Sequence, residues 1–100
     1  MGISMAIADD GGKVTIAVSG QFDFALYDEF RASFANTAGN GVAYVVDLSA
    51  TEQLDSSAIG MLLLLRDHAG GDASDIEIRG ASREVRKLLE VANFSRLFKF

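Results

Sequence analysis

Val42-Ala43-Tyr44-Val45-Val46-Asp47-Leu48 is the stretch on which the fold turns. Six of its seven residues are apolar, and they fall on both alternating faces. A strand of that kind belongs in the middle of a sheet with neighbours on either side. Ser49 to Leu54 reads as a loop, and Asp55-Ser56-Ser57 opens a helix that runs to about Ala69, where Gly70-Gly71 stops it. Upstream, Leu26, Phe30 and Phe34 recur at helical spacing, with Tyr27 beside them, so a helix is predicted over 25–38 and ends at Asn40-Gly41. Earlier still, Ile3, Met5 and Ile7 alternate, and so do Val14, Ile16 and Val18. Asp9-Asp10-Gly11-Gly12 joins the two runs into a hairpin. Downstream, Asp75 to Arg79 alternates as a strand. Ser82 caps a third helix with Val85, Leu88, Leu89 and Ala92 on one stripe. Asn93 ends that helix, and Leu97 to Phe100 forms a last short strand.

The order is β-β-α-β-α-β-α-β, which makes the chain α/β with a mixed sheet of about five strands. Strand–helix alternation implies parallel pairing through right-handed crossovers. The first strand is antiparallel, at an edge. The strands around Ile16 and Ile76 are apolar on one face only, so the helices lie mainly on one face of the sheet. No linker or repeat interrupts the pattern, and residues 1–100 are read as a single domain.

Composition narrows the chemistry. The chain is 49% hydrophobic and 23% charged, too apolar for disorder. Its longest apolar run, Ala58 to Leu65, is well short of the roughly 20 residues that cross a membrane. A net charge of −5 argues against nucleic-acid binding by bulk electrostatics. With no cysteine and one histidine, neither thiol chemistry nor a multi-histidine metal site is expected, and no cofactor is called. The N-terminus lacks the pattern of a secretion signal, so the expected location is the cytoplasm. His68, between Asp67 and Ala69 late in the second helix, reads as a solvated helix residue. Charge is uneven: six basic and two acidic residues give 79–100 a net +4, against −9 for 1–78. That is either a solvated face or a dipole that steers a partner.

Three polar segments converge, on this reading, at the carboxyl ends of the strands, where open α/β sheets carry function. They are Gly20-Gln21-Phe22-Asp23, Asp47-Leu48-Ser49 and Asp55-Ser56-Ser57. Asp55-Ser56-Ser57 is a helix N-cap in residue type. The N-cap is the simpler reading of the pattern; the functional alternative, compatible with it, is a phosphoacceptor site, since a serine in a first helical turn is accessible and faces free N–H groups and the positive dipole end. Asp23, Asp47, Asp55 and Ser56 also read, alternatively, as the carboxylate-lined cleft of a small nucleotide-binding domain or enzyme. No histidine, cysteine or lysine stands among them to complete an active site.

Asp47-Leu48-Ser49 followed by Leu54-Asp55-Ser56-Ser57-Ala58-Ile59-Gly60 resembles the signature of STAS domains, the anti-sigma-factor-antagonist family. Gly20-Gln21-Phe22-Asp23, Ser82 to Leu89 and Asn93 to Phe98 resemble further segments of that family, so the likeness spans nearly the whole chain. The resemblance implies a non-catalytic regulator in a bacterial partner-switching pathway. The serine directly after the aspartate, here Ser56, is the expected phosphorylation site. Asp23, Asp47, Asp55, Ser57, Ala58 and Met61 are the expected flanking and partner-binding residues. The implied partners are a serine kinase or anti-sigma factor of the GHKL type and a PP2C-type phosphatase, alone or fused to a response regulator. The free chain is expected to be a monomer. Gln21 stands where the family has an acidic residue, Ala58 where it often has glycine, and the sequence ends at Phe100 where many relatives add a helix.

The second helix carries one more expectation. Ala58, Ile59, Met61 and Leu62 to Leu65 cover most of its circumference at about 100° per residue. Part of that surface must face outward. It is either ordinary exposed leucine or an apolar docking patch beside Ser56, with methionine suited to an adaptable contact.

Overall fold

The computed structural model describes residues 2–8, 11–37 and 41–99. The expected turn residues Asp9 and Asp10, the helix stop at Asn40 and the terminal Phe100 lie outside them. Four strands form one sheet: β1 (Ile3–Ile7), β2 (Lys13–Phe22), β3 (Ala43–Leu54) and β4 (Asp75–Arg79), in that spatial order. β1 is antiparallel to β2 at the edge, and β2, β3 and β4 are parallel. Three helices connect or follow them: α1 (Tyr27–Ala35), α2 (Ser56–His68) and α3 (Arg83–Val91). The expected mixed α/β sheet is present, and among the described residues its fifth strand is represented by a parallel bridge between Glu77 and Lys99. α1 is shorter than its apolar spacing suggested. Asp23 accepts a hydrogen bond from the Ala25 amide (3.0 Å), which starts a 3-10 turn over Phe24–Leu26 before the α-helix begins.

The helices pack on one face. Val14, Ile16, Val18 and Phe22 of β2, Tyr44, Val46, Leu48 and Leu54 of β3, and Ile76 and Ile78 of β4 form one core with Phe30, Phe34, Leu62, Leu65, Val85 and Leu89 of the helices. The opposite face carries Thr15, Ala17, Asp47, Glu77 and Arg79 in register, with Val45 buried among them. Small and charged groups suffice there because no helix must be seated on them.

The segment expected to be a loop, Ser49 to Leu54, is instead the second half of β3. Its pairing with β2 slips twice, between Ala17 and Ser19 and between Gly20 and Gln21. Each slip places an extra residue in β3, as a bulge does. The buried positions therefore fall at Leu48, Thr51 and Leu54, a period of three that hides a strand from an alternation test. Thr51 is held because its hydroxyl donates to the Val18 carbonyl (2.8 Å) inside the protein. Beside the bulge, Gly80 (φ 75°) approaches Ser49 so closely that a Cβ would lie 2.8 Å from the Ser49 Cβ. Only glycine fits that crossing.

Candidate functional site: the start of the second helix

β2 and β3 end side by side, with Phe22 opposite Leu54 and the Asp55 amide donating to the Phe22 carbonyl (3.4 Å). Each strand therefore delivers an aspartate to the same end of the sheet, and each aspartate starts a helical turn. The Asp23 carboxylate takes the Ala25 amide, and one Asp55 oxygen takes the amides of Ser57 (2.9 Å) and Ala58 (3.2 Å). These are N-caps in the physical sense: extended residues whose side chains satisfy donors the helix itself leaves open. A shallow recess of about 220 Å³ lies between them, lined by Gln21, Asp23, Gln53 and Asp55.

Ser56 follows Asp55 and is exposed, while Ser57 is half-buried and Ala58 is fully buried. The exposed positions of α2 are Ser56, Gly60, Leu63, Leu64 and Asp67. They recur at i, i+4, i+7, i+8 and i+11, which is one face of a helix. Leu63 and Leu64 are 40% and 44% exposed, roughly 11 Å from Ser56 at 1.5 Å per residue. Between them Gly60 leaves open space: apart from its chain neighbours and the backbone of its own helix, no atom comes within 4 Å of where its Cβ would stand. The face thus reads hydroxyl, dip, apolar ridge.

Two of the expected partner-facing residues are corrected. Ala58 and Met61 point into the core and are buried, so they support this face from beneath. The helix turns them inward because Leu62 and Leu65 share the core-facing arc. Asp47 is corrected as well. β3 does not end there: Asp47 pairs with Ala17 and Leu54 with Phe22, so Asp55 begins beyond a span of five β2 residues, roughly 17 Å at about 3.3 Å per residue. Asp47 sits on the helix-free face, paired in register between Ala17 and Arg79. The Ser49 hydroxyl and the Ser49 amide (2.9 Å) hold its carboxyl below the ordinary value of 3.8, with Arg79 assisting and partial burial opposing. The carboxylate cleft read from sequence therefore does not assemble: Asp23 and Asp55 meet, and Asp47 stands apart. Among the described residues no three His, Cys, Asp or Glu side chains gather around one possible ion position.

Phe24, directly after Asp23, is 67% exposed and stacks on Tyr27 with ring centroids 5.4 Å apart. Its signal was the Gly-Gln-Phe-Asp-Phe run, in which only one phenylalanine can follow the strand inward. His68 is not a solvated residue. Its Nε2 lies 3.1 Å from the Thr37 carbonyl and its ring packs on Phe34, tying the end of α2 to the end of α1.

The fold agrees with what the chain is similar to. The family model described as "Mlab, STAS domain" matches residues 5–99. The chain belongs to the STAS-domain family. A STAS-domain containing protein of Pseudomonas aeruginosa (strain UCBPP-PA14) is 48% identical over 99 residues, 99% of this chain and 98% of that one. Among solved structures, a putative anti-sigma factor antagonist from Thermotoga maritima superposes with a TM-score of 0.78 at 16% identity, covering 97% of this STAS domain and 83% of that chain. The Bacillus cell fate determinant SpoIIAA, in its phosphorylated form, superposes with a TM-score of 0.71 at 16% identity, covering 96% and 87%. At that identity the two structures establish the shared fold. No helix of the described residues is long and apolar enough to cross a membrane.

Proposed function

We propose that this STAS domain is a phosphorylation-switched binding module of a cytoplasmic partner-switching pathway, with Ser56 as the switch. The observation that carries the reading is the alignment of exposed Ser56 with Gly60, Leu63 and Leu64 on one face of α2. The unphosphorylated face docks a serine kinase or anti-sigma factor of the GHKL type, and a PP2C-type phosphatase, alone or fused to a response regulator, resets it. That relatives of the fold include the anti-sigma factor antagonist SpoIIAA, solved in both an unphosphorylated and a phosphorylated form, supports the assignment.

Local chemistry supports a veto rather than a refolding event. A phosphate adds about −1.5 to −2 charges at neutral pH. The Ser57 and Ala58 amides are already taken by Asp55, so the new dianion finds no free pair of donors there and meets the Asp55 carboxylate instead. It stays outward, at the rim of the apolar ridge, where a docking partner would have to desolvate it. The chain itself supplies no catalysis in this scheme.

The test is co-expression with and without the cognate kinase and phosphatase, read by intact mass and phosphopeptide mapping. One removable phosphate on Ser56 is expected; modification of Ser57 instead overturns the assignment. Ser56→Asp should lose the partner at nearly unchanged Tm, and Ser56→Ala should bind constitutively. A Ser56→Asp protein that unfolds would sink the surface-switch reading.

A further inference from the structure

The two edges of the sheet are treated differently. The β4 edge is closed by the C-terminal segment: the Ile78 amide donates to the Lys99 carbonyl (2.6 Å), the Lys99 amide donates to the Ile76 carbonyl (3.0 Å), and the Lys99 ammonium pairs with Asp75 (2.8 Å). A bonded chain plus a lysine is how folds block edge-to-edge pairing. Among the described residues the β1 edge has neither device. Ile3-Ser4-Met5-Ala6-Ile7 carries no charge and no proline.

The hydrogen-bond parity of β1 is fixed by its ends. The Ser19 amide donates to the Gly2 carbonyl (2.7 Å) and the Ala8 amide donates to the Lys13 carbonyl (2.9 Å). Even-numbered residues of β1 therefore bond inward to β2, and Ile3, Met5 and Ile7 present their N–H and C=O groups outward. The same three residues stand opposite Val18, Ile16 and Val14, so their side chains lie on the helix-bearing face. Ile3 reaches the core, but Met5 and Ile7 are left 45% and 50% exposed.

A strand that completes this edge must be extended and uncharged. It must bond through alternate residues and bring apolar side chains at those positions to the helix-bearing face. β1 itself meets each requirement. Run antiparallel to a copy of itself about a two-fold axis through Met5, it sets Met5 against Met5 and Ile3 against Ile7 of the other copy, all in bonding positions. We infer that β1 pairs with β1 of a second copy, joining two four-stranded sheets into one of eight and covering Met5 and Ile7. The seam is five residues long, small beside the roughly 800 Å² per partner of a stable interface. Each copy also carries a net charge of −5. The dimer is therefore weak, concentration-dependent and strengthened by salt, which screens that repulsion. This revises the expectation of a monomeric free chain.

The test is sedimentation equilibrium of the full chain combined with residue-resolved amide exchange by NMR. Raising the concentration from ~20 µM to ~1 mM should shift the mass toward a dimer and slow exchange at Ile3, Met5 and Ile7 roughly threefold or more. Ser4 and Ala6, already bonded to β2, should not change. Met5→Pro removes an outward donor only, and Ile7→Lys places a charge in the seam; both should stay folded by circular dichroism and remain monomeric. Should Met5→Pro fail to fold, Ile7→Lys and the wild-type exchange pattern still decide. A wild-type chain that stays monomeric at ~1 mM overturns the inference. So does a dimer whose protection appears elsewhere than at the three odd residues, or an edge that is covered only by a foreign peptide.

Discussion

Ser56 and Ser57 are adjacent and chemically identical, yet their surroundings give them separate tasks. The helix geometry turns Ser57 toward the protein while its amide is held by Asp55, and leaves Ser56 outside. Asp55→Ala removes the acceptor for two amides at once and should cost about 1 kcal/mol, read as a lowered urea midpoint at unchanged slope. Asp47 makes a prediction about pH. Its folded pKa is depressed, so the unfolded state binds the proton first as pH falls. Its contribution is present above the unfolded value, about 3.9, and disappears as pH drops through the lower folded value. Asp47→Asn should therefore be less stable than wild type at neutral pH, and the gap should close below about pH 4. Denaturant midpoints across pH 2–7 measure this, and a gap that grows in acid would contradict it. Both aspartates were legible as polar residues at strand and helix ends. That Asp55 caps a helix was legible from its residue type, and that Asp47 braces a bulge was not, because the bulge depends on what β3 pairs with.

At the scale of elements, α2 and β3 carry the argument. Gly60 has helical backbone and open surroundings, so it contributes flexibility to the unfolded chain and no packing to the folded one. Gly60→Ala should stabilise the domain by about 0.5–1 kcal/mol. If the exposed face is the docking face, Leu64→Glu should abolish partner binding and shift stability by no more than about 1 kcal/mol, since nearly half of Leu64 is already in water. Pull-down and thermal melting on the same protein separate the two effects. The apolar excess of α2 could be read from its seven residues; its direction could not. The face that meets water is set by which arc the sheet and α1 leave uncovered, and that put Met61 inside and Leu63 and Leu64 outside. β3 shows the reverse difficulty. Ser49 to Gln53 has the composition of a loop, and only the parallel partner Ser19–Phe22 gives its backbone somewhere to bond.

For the whole molecule, stability depends on how the ends of the chain are tied to the sheet. Phe98 is buried, stacks on Phe94 with centroids 4.7 Å apart, and anchors Lys99 against β4. Phe98→Ala should cost about 3–5 kcal/mol and release amide protection at Ile78 before the rest of β4. Hydrogen exchange would show it, and uniform loss across the sheet would argue instead for a global effect. The alternating and helical apolar periods were enough to establish the α/β class, the antiparallel first strand and the one-sided helices, because they record which residues must leave water and in what local geometry. The Asp-Ser-Ser block likewise marked the start of α2 through the residue types that satisfy orphan amides. Three things needed the folded chain: that β3 bulges through its polar half, that Asp47 stands apart from Asp23 and Asp55, and that Leu63, Leu64 and Ser56 share one exposed face. Each depends on what packs against or pairs with a segment distant in sequence, and local composition holds no record of that neighbour.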